Sequence, residues 1–158
     1  MPFALLAALG LLFTRDGVPA TVAGRVLAGR ATVGGREFDA EVARDVQRGE
    51  WLETERDARL ALESEGTRIE LDGATRLLVE EPRERRFRLD GGSIAVEGAC
   101  ALRGEFGALD CRGGRARVTL AAGVLTLESE TAELELVDSR GSQRVAPGER
   151  LEVSLRRR

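Results

Sequence analysis

The stretch Gly49–Glu81, GEWLETERDARLALESEGTRIELDGATRLLVEE, decides the fold. Apolar and charged residues alternate along it, and Gly66 and Asp72-Gly73 interrupt the alternation. A period of two with glycine-marked reversals specifies short twisted strands joined by tight turns. Ala58, Leu60 and Leu62 point one way, and Arg59 and Glu63 the other. After Glu65-Gly66, Ile69 and Leu71 face inward with Arg68 and Glu70 outward, and Leu77 and Val79 follow the Asp72-Gly73 turn. A slip of one residue would put every one of these apolar groups into water, so the register is strongly fixed.

The same grammar runs outward in both directions. Upstream, Val22–Ala28 reads as a first strand, and Gly34-Gly35 predicts a hairpin returning through Phe38. The segment 39–48 supports two readings. Val42 and Val46 share a helical face with Asp39 as N-cap and Gly49 as stop, but Ala40, Val42, Arg44 and Val46 also alternate as an extended segment. Downstream, Pro82 opens an arginine-rich connection, Arg83 to Arg86. Phe87 and Leu89 then face in, Gly91-Gly92 predicts a turn, and Ile94 and Val96 face in again. Ala116, Val118 and Leu120 alternate with Arg115, Arg117 and Thr119. Gly123 breaks the run before Leu125 and Leu127. Leu134 and Leu136 alternate with Glu133 and Glu135, and a loop through Gly141 and Pro147-Gly148 leads to Leu151, Val153 and Leu155. The expected fold is all-β, a twisted solenoid-like or sandwich-like stack of short strands and hairpins in one domain over 21–158. Its thin aliphatic layers need no cofactor to fold.

Composition narrows function. Of 158 residues, 42% are hydrophobic and 32% charged, as in ordinary globular domains, and the formal net charge of -3 gives no field favouring nucleic acid. All 24 basic residues are arginine, and lysine, histidine and tyrosine are absent. Without histidine a Ser-His-Asp or Cys-His centre cannot be built, and without lysine neither can Schiff-base chemistry. Carboxylate pairs or an oxygen-ligand metal site remain, and no spaced acidic run traces either one. The sequence therefore predicts no catalytic residue, no metal ligand and no cofactor.

Phe3–Phe13, FALLAALGLLF, is too short to span a bilayer but suits the core of a signal peptide, with Val18-Pro19-Ala20 offering small residues for cleavage. Only Met1 and Pro2 precede the run, so 1–20 is expected to be a signal-peptide-like leader or a truncated membrane anchor. A buried N-terminal helix or strand is the competing reading. Export would place the domain in the periplasm or elsewhere outside the cytoplasm, secreted or tethered.

Cys100 and Cys111 agree with export. Folding GACALRGEFGALDC as a hairpin centred near Glu105-Phe106 sets Leu102 against Leu109 and Cys100 against Cys111. Directly opposed strand positions lie about 4.5–5.5 Å apart, within disulfide reach. A bond there would stabilise the domain by about 2–3 kcal/mol. Two unpaired buried thiols are the alternative.

Gly49, Trp51, Leu52 and Thr54 open an ordered series: Ala58, Leu60 and Leu62, Gly66, Ile69 and Leu71, then Thr75-Arg76-Leu77. Leu89–Val96 adds a strand–glycine–strand element, Ala116–Leu127 another, and Val145–Arg150 a closing turn. In this order the chain resembles the FecR-like domain family over most of 22–155. The resemblance implies a twisted, solenoid-like β structure and a role in envelope signalling through protein binding. Arg112-Gly113-Gly114 stands where many members carry a Gly-Thr element, and only Met1 and Pro2 precede the apolar run, where regulators of the family place an anti-sigma segment. The resemblance thus implies a stand-alone extracytoplasmic module.

Three features invite function and have plainer readings. Trp51 is either a partner anchor or, as the regular strand pattern around it favours, a core or edge plug. Arg83–Arg88 reads as a solvated mixed-charge loop beside Glu80, Glu81 and Glu84 rather than a binding patch. Arg156–Arg158 is a short basic tail. The expected function is a non-enzymatic module that docks an envelope or membrane protein through a strand edge or sheet face. The alternative is a structural or carbohydrate-associated envelope protein.

Overall fold

The computed structural model describes residues 21–38 and 42–155. The leader at 1–20, Asp39, Ala40 and the arginine tail lie outside the described residues. Strand accounts for 71% of the structure, in one curled antiparallel sheet with no α-helix among the described residues. The all-β expectation holds.

Eight short strands come first: β1 (Thr21–Ala28), β2 (Ala31–Val33), β3 (Arg36–Phe38), β4 (Arg44–Gln47), β5 (Trp51–Thr54), β6 (Arg59–Ser64), β7 (Thr67–Leu71) and β8 (Arg76–Glu81). A 3-10 turn at Pro82–Glu84 leads to the long pair β9 (Arg86–Gly104) and β10 (Gly107–Ala121). Four strands follow: β11 (Val124–Ser129), β12 (Leu134–Asp138), β13 (Gly141–Val145) and β14 (Arg150–Ser154). The hydrogen-bonded path runs β3-β2-β5-β8-β9-β7-β6-β1-β4. It curls far enough that the Phe38 ring of β3 packs on Gly24 of β1, 3.4 Å from where a Cβ would sit. Alternation drives the curl, because the inward residues of every strand join a single aliphatic core.

Beyond β8 the design changes. β10 pairs with β9 along one edge, and along its other edge with β12 and β11 in succession. β13 then pairs with β12 and β14 with β11. The result is a ribbon of four long tracks, each bent at the same level. β9 bends at Gly98, β10 at the bulge around Gly113-Gly114, the third track at 130–133 and the last at 146–149. Gly98 sits at φ +103, and a Cβ there would lie 2.4 Å from the Gly66 carbonyl, so only glycine fits the corner. β9 also coils back on its own start: Ala101 N–H donates to the Arg85 carbonyl at 3.0 Å.

The structure corrects three expectations and decides between the two readings of 39–48. Gly91-Gly92 is a bend inside β9, not a turn between strands, because Gly92 takes φ +99 while β10 continues pairing through Gly92 opposite Leu120. The strands of the second half are accordingly long, with 19 and 15 residues in β9 and β10. The described part of 39–48 is extended rather than helical: Arg44–Gln47 pairs with β1 and buries Val46. Trp51 is outside the core; its neighbour Leu52 takes the inward position, and the indole lies half-buried on the outer face.

Candidate functional site

The outer face carries most of the charge, and register decides who meets whom. One row crosses the sheet as Glu63–Arg68–Glu97–Arg115, and the next as Ala61–Glu70–Ala95–Arg117–Glu128–Arg150. Opposite charges therefore face each other across strands. Arg68 donates to Glu63 at 2.5 Å and to Glu70 at 2.9 Å, Arg59 donates to Glu70 at 2.8 Å, and Arg117 pairs with Asp72. Hydrogen bonds from Arg59 and Arg68 hold the Glu70 carboxyl below its usual range. Glu135 is likewise lowered, first by the Ser142 hydroxyl and then by the Arg112 charge. Exposed pairs of this kind contribute about 0–1 kcal/mol each, so the checkerboard fixes register more than it stabilises.

Small outward residues leave hollows in this face. One of them, about 390 Å³, includes Ala95 in its lining and is walled by Arg68, Glu70, Glu97, Arg115, Arg117 and Glu128. Its mixed signs suit neither a phosphate nor a cation. Among the described residues no group of three possible metal ligands comes together. The buried polar side chains there are Thr54, Thr67, Thr75 and Ser129, with no carboxylate among them.

Those four hydroxyls staple strand ends, a role that sequence reading passed over. Thr54 donates to the Asp72 carbonyl at 2.6 Å and accepts from Thr75 N–H at 3.0 Å. The Thr75 hydroxyl donates to the Ser93 carbonyl at 3.1 Å, and Thr67 donates to the Ala99 carbonyl at 2.7 Å. Thr54, Thr67 and Ser129 stand in the inward phase of their strands and Thr75 directly precedes β8 in phase with Leu77 and Val79, and a polar residue at an apolar position was the available signal.

The cysteines meet as the hairpin arithmetic predicted, Cys100 opposite Cys111 and Leu102 opposite Leu109. Both are buried free thiols. Cys100 and Cys111 both aim their backbone groups into the β9–β10 ladder: Ala101 N–H points away to Arg85 and Arg112 N–H away to Glu133. They are thus a hydrogen-bonded pair, with Cα atoms about 5.5 Å apart. The Cys100 hydrogen bond and burial push the Cys111 thiol well up.

On the outer face Arg76 stacks 4.1 Å above the Trp51 ring while binding Glu53 and Asp90, each at 3.0 Å. In the Arg83–Arg88 segment, Arg86 pairs with Glu84 at 3.0 Å and Glu80 at 3.6 Å, and the segment from Arg86 onward is strand rather than loop.

Finally, four strands among the described residues have one neighbour only: β3, β4, β13 and β14. The first two span 3 and 4 residues, whereas β13 and β14 follow each other with 5 apiece and form one long edge. Leu155 N–H donates to the Gly123 carbonyl at 2.7 Å, so Leu151, Val153 and Leu155 bond inward while Arg150, Glu152 and Ser154 bond outward. Leu151 and Leu155 lie half-buried at the rim of the core. Comparison with protein-family models, curated proteins and solved structures finds no match to this chain.

Proposed function

We propose that the chain is a non-enzymatic, extracytoplasmic FecR-like module that binds another protein of the bacterial envelope and serves in envelope signalling. The observation that carries this reading is the free β13–β14 edge, with outward backbone groups beside the apolar rim of Leu151 and Leu155. Edges of this kind bind extended segments through main-chain hydrogen bonds, and alternate side chains set specificity. The missing histidine and lysine, the FecR-like order of strands and turns, and the export-like leader all favour it over catalysis. Affinity capture from envelope fractions tests it: a reproducible protein partner is expected, and repeated recovery of none sinks the reading. Export has its own test in the mature N-terminus, expected at Thr21 in a soluble or membrane-bound envelope fraction.

One observation favours a second reading, a carbohydrate-associated envelope protein. The half-buried Trp51 side chain, with Arg76 stacked over its ring and Glu53 and Asp90 beside it, sets an aromatic group among hydrogen-bonding partners on the outer face. Retention on isolated cell wall after protein partners are stripped, lost in Trp51→Ala, would support it over the first.

A further inference from the structure

We propose that β14 pairs with β14 of a second copy, antiparallel about a two-fold axis at Leu151. It rests on the reading of the domain as an edge-docking module and names the edge and one occupant. Free edges usually carry a defence such as a lysine, a proline, a bulge or a very short length. β14 has no lysine, proline or bulge within Arg150–Ser154; its two charges, Arg150 and Glu152, are of opposite sign and sit on the residues whose backbone groups point outward. The Ser154 carbonyl is already engaged by Arg140 at 3.2 Å, which confines free pairing to the first part of the strand.

Self-pairing must match outward residue to outward residue, and this leaves few registers. Centring on Glu152 sets two glutamates face to face. Centring on Val153 drives Arg150 toward the arginine tail of the other copy. Centring on Leu151 places Arg150 opposite Glu152 twice and Leu151 opposite Leu151, continuing the rim of the core across the junction. Of these three, only the last avoids like charges, which are destabilising when directly opposed. A two-fold contact of this type uses the same patch on both copies and closes on itself.

The test is sedimentation velocity from micromolar to near-millimolar protein. Wild type should dimerise as concentration rises. Glu152→Arg should weaken the dimer about tenfold, because both cross-strand charge pairs become repulsive. Arg150→Glu combined with Glu152→Arg should restore it, since opposite charges again face. Glu152→Pro should also weaken it, because it removes an outward N–H while leaving the β11–β14 bonds intact. Circular dichroism verifies that each variant is folded. A wild type that stays monomeric throughout overturns the proposal, as does a dimer indifferent to Glu152→Arg and Glu152→Pro, or a double variant that fails to recover. None of these results touches capture of a different envelope partner, whose failure is read separately.

Discussion

The two halves of the molecule solve the same problem with opposite means. Before Pro82 no strand exceeds 8 residues, and the chain changes direction at the turns between them. After it, strands of 19 and 15 residues run through bends without reversing, and curvature is written into glycines inside the strand. The contrast teaches that curvature can be stored at turns or along strands. It also locates where each half is vulnerable.

The sharpest way to break the contrast is at the internal bend. Gly92→Ala would place a Cβ 2.3 Å from the Thr75 hydroxyl at φ +99, and is expected to cost about 3 kcal/mol or more. Gly91→Ala, one residue away in open space, should stay within about 0.5 kcal/mol. Urea denaturation compares them, and equal losses would show that β9 does not depend on its bend. The next effect concerns the ribbon's own reinforcement. Oxidation of Cys100 and Cys111 to a disulfide should stabilise the domain by about 2–3 kcal/mol, read as a shift in midpoint with and without reductant. An unchanged midpoint in the oxidised protein would refute that gain.

Smaller still is the turn-based half's stapling. Thr54→Val leaves the buried Thr75 N–H without its acceptor and should cost about 1–3 kcal/mol. A loss confined to local hydrogen exchange near β5 and β8, with no change in global unfolding, would show that the two halves open separately. Least in size is acid sensitivity. Glu70 and Glu135 sit below the ordinary 4.5, so their contribution is complete above that value and disappears as pH falls through their lowered ones. Glu70→Gln should therefore flatten stability against pH only on the acid side of 4.5.

Much of this was legible in the sequence, unevenly. The β6–β7 hairpin and the Cys100–Cys111 register could be read because a reversal leaves a glycine-marked tip flanked by matching alternation. Gly91-Gly92 could not be resolved, since a glycine pair looks the same whether the chain reverses or bends. What decides is the partner strand, and β10 lies far along the chain. Trp51 and Leu52 are adjacent and both apolar, so phase alone had to choose, and Leu52 shares its inward phase with Thr54. The free edge left no local mark, because having one neighbour is a property of topology rather than of residues.

The tight tip between Gly104 and Gly107 has a consequence in time as well as space. From Gly104 opposite Gly107 the pairs of β9 and β10 run outward in unbroken succession to Ala99 opposite Arg112. Each new pair closes almost no additional loop once its predecessor has formed, whereas β2 must find β5 and β5 must find β8 across longer intervals. Folding is therefore expected to begin at this hairpin and to recruit the N-terminal strands afterwards. Leu102→Ala and Leu109→Ala should slow refolding, while Val33→Ala should chiefly hasten unfolding, and the reverse partition would place the nucleus elsewhere.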